Sequence, residues 1–159
     1  MILDGNLIFD ATYSAANGLV GVNVFTNGAS QVSTNVLDML QGRDMGQAPQ
    51  GPASLQILVI VTTAFTVGTS LNIQLQGSTD NVTYTTYAES SPILTAALLV
   101  GTVWFRIELP STQPDSGPPP RYYRLNYQCV GVMAAGAVIA ILGERDSNRY
   151  YKPGIVVSN

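Results

Sequence analysis

Apolar and polar residues alternate with a period of two along most of this chain, and a helical period is nearly absent. The clearest stretch is Leu71-Asn72-Ile73-Gln74-Leu75-Gln76. Leu71, Ile73 and Leu75 share one face and Asn72, Gln74 and Gln76 the other, as in a half-buried antiparallel strand. The turn formers Gly77-Ser78-Thr79-Asp80-Asn81 follow, then Val82–Tyr87, rich in β-branched and aromatic residues. These pieces predict a β-hairpin.

The same reading extends to other segments. Gln56–Thr63 is apolar on both faces, which predicts a central strand covered twice. Val103, Phe105, Ile107 and Leu109 alternate with Trp104, Arg106 and Glu108. Tyr123, Leu125, Tyr127 and Cys129 alternate with Tyr122, Arg124, Asn126 and Gln128, the first set predicted to face the core. Ala134–Leu142 reads as an apolar strand of small residues. Leu7–Phe9, Val20–Phe25 and Gln31–Leu40 carry weaker strand patterns. Turn signals separate these runs, and Pro110–Pro120 holds five of the nine prolines, which suggests a stiff, extended loop. About eight strands with antiparallel alternation predict an all-β fold: one antiparallel β-sandwich of jelly-roll type, with a Greek-key sandwich as the near alternative. The expected organisation is a single domain over 1–159, with an N-terminal arm at 1–10 and a charged turn and C-terminal arm at 144–159.

Composition narrows the chemistry. Of 159 residues only 11% are charged, against about 25% in a typical domain. The polar share falls instead to Ser, Thr, Asn and Gln. There is no His, which removes a Ser-His-Asp triad, a Cys-His pair and any His metal ligand. One Cys removes zinc ribbons, iron–sulfur sites and internal disulfides, and Cys129 reads as a reduced small hydrophobe. A net charge of −3 argues against a phosphate-backbone binder. The carboxylate pairs Asp38 with Asp44 and Glu89 with Glu108 follow no catalytic spacing and read as ordinary turn or surface groups. The chain is expected to be no enzyme and to use no cofactor or metal. With no basic n-region and no apolar run of 18–20 residues, it is expected to be made and kept in a cytoplasm, away from a membrane.

What remains is a surface made for contact. Low charge in a net apolar chain implies that much of its surface meets other protein. Trp104, on the face of Arg106 and Glu108, suits a protein interface or a sugar-stacking platform, or tucks under a neighbouring loop. Tyr122 and Arg124 share a similar mixed face. The patch Glu144–Arg149 reads as a solvated turn with local ion pairs of small worth, or it could present Arg145 and Arg149 to an acidic partner. The tail after it, with Tyr150, Tyr151 and Ile155, could close its own sheet or add to a neighbour's edge. In the N-terminal arm, Ile2 and Leu3 are the matching candidates.

Four stretches resemble a known family: the opening Met1–Asp10, the hairpin Leu75–Asn81, the strand Pro120–Tyr127 and the ending Tyr151–Ile155. Their order and spacing are similar to those of the capsid cement, or decoration, proteins of short-tailed bacteriophages. The resemblance implies a jelly roll on the outer capsid surface, made in the host bacterial cytoplasm. It implies a chain bound to the major capsid protein and to itself, a homodimer ahead of a homotrimer, with no nucleic-acid partner. Its job is to clamp neighbouring capsid subunits and stabilise the expanded shell. A carbohydrate-binding β-sandwich, lectin-like or tail-associated, is the competing expectation.

Overall fold

The computed structural model describes residues 7–14, 16, 18–23, 25, 30–40, 55–108 and 119–144. Among the described residues thirteen strands follow one another: β1 (Ile8–Asp10), β2 (Thr12–Ser14), β3 (Gly18–Val20), β4 (Val22–Asn23), β5 (Gln31–Val32), β6 (Leu37–Asp38), β7 (Leu55–Val67), β8 (Ser70–Ser78), β9 (Thr85–Glu89), β10 (Ile93–Leu94), β11 (Val103–Glu108), β12 (Tyr122–Val130) and β13 (Met133–Glu144). The described residues hold a short 3-10 turn at Thr95–Ala97 between β10 and β11.

Several short strands are pieces of one longer path. β1 and β4 both pair with β13, and the small β2–β3 ribbon interrupts them. β5 and β6 both line β12, and β9 and β10 both line β8. Joined this way, the described residues make eight strand paths, each antiparallel to its neighbours. One sheet runs β1/β4, β13, β7, β11, and the other β5/β6, β12, β8, β9/β10. In path order these are 1-8-3-6 and 2-7-4-5. The first path lies beside the last, the second beside the seventh, and so inward, which is a jelly roll. The all-β sandwich read from the alternation is therefore the fold.

The core lies between the sheets. Ile57, Val59 and Val61 of β7 and Val138, Ala140 and Leu142 of β13 face Leu71, Ile73 and Leu75 of β8 and Tyr123, Leu125 and Tyr127 of β12, all buried. Each large apolar side chain so placed stabilises the fold by about 1.5–3 kcal/mol. Phe25, Phe65, Trp104 and Tyr127 form an aromatic cluster within it, with Phe25 and Phe65 centroids 4.8 Å apart and Phe25 edge-on to Tyr127 at 5.2 Å.

Three expectations need correction. Residues 8–10 are not part of an arm: β1 is buried and paired with β13, because Ile8 and Phe9 bring enough apolar surface to hold that edge. β7 is central, between β13 and β11, but only its inner face is sealed; Leu58 and Ile60 on the other face are half-buried. The second hairpin strand starts at Thr85 rather than Val82, because the Asp80 carboxylate accepts the Val82 and Thr83 N–H groups at 2.8 Å and prolongs the turn.

One buried polar link ties the sheets together. Asp10 is fully buried, its Oδ2 accepting the Tyr127 hydroxyl at 2.5 Å and its Oδ1 accepting the Thr34 N–H at 2.7 Å. Asn35 completes the clasp, its N–H donating to the Phe9 carbonyl at 2.9 Å and its Nδ2 to that of Ile8 at 3.1 Å. Burial raises the Asp10 carboxyl above its ordinary value, while the hydrogen bond from Tyr127 pulls the other way. The Tyr127 hydroxyl is pushed well up by burial and by the carboxylate beside it.

Candidate functional site

Two β8 and β12 faces were predicted from alternation, and the pairing sets them side by side. Asn72 stands opposite Gln128, Gln74 opposite Asn126, and Gln76 opposite Arg124. All these side chains point away from the core, since Leu71, Ile73, Leu75, Tyr123, Leu125 and Tyr127 fill it. The result is a row of amides across two strands.

The row is bonded to itself. Asn126 Nδ2 donates to Gln74 Oε1 at 2.9 Å, and Arg124 Nε to Gln76 Oε1 at 2.9 Å. Asn72 Nδ2 donates to Gln128 Oε1 at 3.1 Å and to the Glu89 carboxylate on β9. The Arg124 guanidinium lies 3.6 Å over the Tyr84 ring, whose hydroxyl donates to Asn81 Oδ1. A cation on an aromatic face at this distance adds roughly 0.5–1 kcal/mol at an exposed site. Beside it, Arg121 grips Asp38 with Nε to Oδ1 at 2.6 Å and Nη2 to Oδ2 at 2.7 Å, and its guanidinium lies 4.8 Å from the Tyr122 centroid. The hydrogen bond from Arg121 holds the Asp38 carboxyl below its ordinary range. The side chains of this face are bonded to one another, and its charges, Arg121 and Arg124 against Asp38 and Glu89, balance.

Of the candidate residues, Tyr122 and Arg124 fall on this face as expected, both half-buried. Trp104 does not belong to it. The β11–β7 register shifts between Val103 and Phe105, which pair with Ile60 and Val59. That bulge turns Trp104 inward with Phe105, so both are buried (7% and 6% exposed). Trp104 packs edge-on against Phe65 at 5.8 Å, and it offers neither an interface nor a sugar platform. Its Nε1 and the Thr62 hydroxyl are buried without a partner among the described residues. Arg106 is placed by its backbone opposite Leu58, its side chain lying outside the description. Ile2, Leu3, Arg145, Arg149, Tyr150, Tyr151 and Ile155 lie outside the described residues.

Alternation marked the face but not its bonds. The Arg121–Asp38 pair spans 83 positions and the Arg124–Gln76 bond 48, so neither has a local signal. Cys129 is half-buried against the core, and burial pushes its thiol up to about 11, as suits an inert side chain. Among the described residues no group of three or more His, Cys, Asp or Glu could hold a metal ion, and no helix is long and apolar enough to cross a membrane.

Comparison with known proteins decides the family. The Bbp16 family matches residues 22–142, well over half of the chain and nearly all of the sandwich. This chain belongs to the Bbp16 family. The family is phage-related. No curated protein matches the chain.

Proposed function

We propose that this chain is a capsid cement protein, bound to the outside of an icosahedral phage shell and clamping neighbouring copies of the major capsid protein. The observation that carries this reading is membership of a phage-related family. The fold supports it. A sandwich with a self-bonded outer face keeps its shape under load, and polar groups already paired with each other lose little when a partner displaces water. The protein acts as a homo-oligomer, a dimer in the first instance, so that several modest contacts add to a high avidity. Cement that binds only the expanded lattice stabilises that state by mass action.

The test mixes the purified protein with expanded, cement-free capsids and sediments them. Co-sedimentation at micromolar concentration with a rise in capsid melting temperature is the expected result. Protein left in the supernatant, with unchanged capsid melting, would sink the reading. The carbohydrate alternative has lost its best platform with Trp104 inside the core, though the amide row could still meet sugar hydroxyls. A glycan array that returns specific binding, together with no capsid binding, would replace the cement reading with that one.

A further inference from the structure

The first strand of the sandwich has a short ladder of its own. β1 is three residues long and lies at the outside of its sheet, beside β13. Its register with β13 shifts between Ile8 and Asp10, so that ladder is irregular. The segment at 33–35, between β5 and β6 of the opposite sheet, fastens it further. Ser33 ties this segment to β12: its N–H donates to the Leu125 carbonyl at 2.7 Å, and its hydroxyl oxygen accepts the Leu125 N–H at 3.1 Å. From there Asn35 reaches the Ile8 and Phe9 carbonyls, and the Thr34 N–H reaches Asp10 Oδ1. Each residue of β1 therefore has a bond across the sandwich, and the bonds at Asp10 run through a carboxyl.

That carboxyl stands where a charge is costly. Asp10 is 0% exposed, and the ion pair among the described residues joins Arg121 to Asp38, so no cation there offsets it. Its two donors, the Tyr127 hydroxyl and the Thr34 N–H, are both neutral. Among the described residues, β12 brings Tyr127 to it and β13 sets Ala140 opposite it, while the segment at 33–35 brings Ser33, Thr34 and Asn35. Tyr127 is the single titratable group in that set, and none of them carries a charge. Two neutral donors reduce the cost of a buried carboxylate without cancelling it.

We propose that Asp10 is a proton-operated latch: its neutral carboxyl fastens β1 to the opposite sheet, and its ionisation loosens that strand while the rest of the sandwich stays closed. The latch stands independently of the cement reading. Burial, the largest influence, raises the carboxyl in the fastened strand, and the bonds from Tyr127 and Thr34 oppose it. In a loosened strand water reaches the group, which returns to its ordinary value of about 3.9. Fastening is therefore strongest below that value, weakens as the pH rises through the raised one, and then levels off. The Tyr127 hydroxyl does not titrate in the same range, because burial and the Asp10 carboxylate push it well up. The loosening is local because β12 stays paired with β8 along its full length, from Tyr122 to Val130.

Hydrogen exchange on the full chain, read residue by residue and corrected for the intrinsic effect of pH, tests this. The reporters are the Thr34 and Asn35 amides, whose acceptors lie in β1. The amides of the β8–β12 ladder are the control. Between about pH 4 and pH 8 reporter protection is expected to fall, roughly tenfold for each unit by which the fold raises the carboxyl, and more than the control does. In Asp10→Asn the reporters are expected to stay constant within about a factor of two. Tyr127→Phe is the second variant, and it decides the matter if Asp10→Asn fails to fold. It keeps a ring beside Phe25 and removes a donor that lowers the carboxyl, so the fall is expected to move to higher pH. Constant reporter protection in the wild type would overturn the latch. So would the same fall in Asp10→Asn, which would assign it to another group, or an unshifted fall in Tyr127→Phe. An equal fall in the control amides would also overturn it, because the whole sandwich would then be opening.

Discussion

Two turns at opposite ends of the sandwich solve the same problem in different ways. Between β8 and β9, Asp80 Oδ1 accepts the Ser78 hydroxyl and the Val82 and Thr83 N–H groups, each at 2.8 Å. Asn81 takes φ 60°, a region that Asn tolerates. These bonds hold the Asp80 carboxyl down at about 2, the Thr83 N–H contributing most. Between β7 and β8, Val67 and Gly68 both take positive φ, and the Val67 side chain stands in solvent. The first turn is explained by its own bonds. The second is not: its bonds leave an exposed β-branched residue at positive φ without a local account.

The largest break in this comparison is Gly68→Ala. A Cβ there would lie 2.4 Å from Met133 Sδ, on a backbone at φ 66°. Left-handed strain and overpacking together predict a loss of about 3 kcal/mol in chemical denaturation. A loss below about 1 kcal/mol would mean that the corner yields, and that Val67 is not held where its strain counts. Gly131 guards the same contact, since its Cβ would lie 3.1 Å from Gly68 Cα.

Next comes acid. A lowered carboxyl contributes stability above its unfolded value near 3.9 and loses it as the pH falls through the folded value. Asp80→Ala should therefore lower the melting temperature at pH 7 by a few degrees, and the gap to wild type should close between about pH 4 and pH 2. A gap that persists at pH 2 would assign the effect to something other than the carboxylate's bonds. Asp10, between the ends, has the opposite sign. Its carboxyl is raised, so its contribution is present below the ordinary carboxylate range and is lost as the pH rises through the folded value. Relative to wild type, Asp10→Asn should gain melting temperature from pH 4 to pH 7. A flat difference would mean that Asp10 is not titrating inside the fold.

Most of the sandwich was legible because alternation is a local signal. Leu71–Gln76 and Tyr122–Gln128 assigned both faces of two strands correctly, and the amide row follows from them. Trp104 was misplaced because a bulge breaks alternation without any mark in the sequence; the register shift lies in how β11 meets β7. β1 was read within an arm because three residues are too few for a period, and its burial comes from β13 and from Tyr127, over a hundred positions away. The charge-free segments at 11–37 and 45–79 were visible as composition. That the turns at 67–69, 94–102 and 130–132 come together at one end depends on the 1-8-3-6 and 2-7-4-5 order, which composition does not contain.

The smallest effect gives the sharpest form of the comparison. Leu40, at the Asp80 end, is also apolar at positive φ (63°) and 70% exposed. Its N–H is held by Asp38 Oδ1 at 2.8 Å, and it lacks the second branch at Cβ that crowds the backbone in Val67. Val67→Asn should therefore stabilise the isolated protein by about 1 kcal/mol, and Leu40→Asn by roughly half as much. For a chain of this length the first is a rise of about 2–4 °C in melting temperature. Equal gains would remove the special strain at Val67, since positive φ in an exposed apolar residue would then be a common feature of both ends. A loss at Val67 would mean that its side chain stabilises the turn itself, and the comparison with Asp80 would fall.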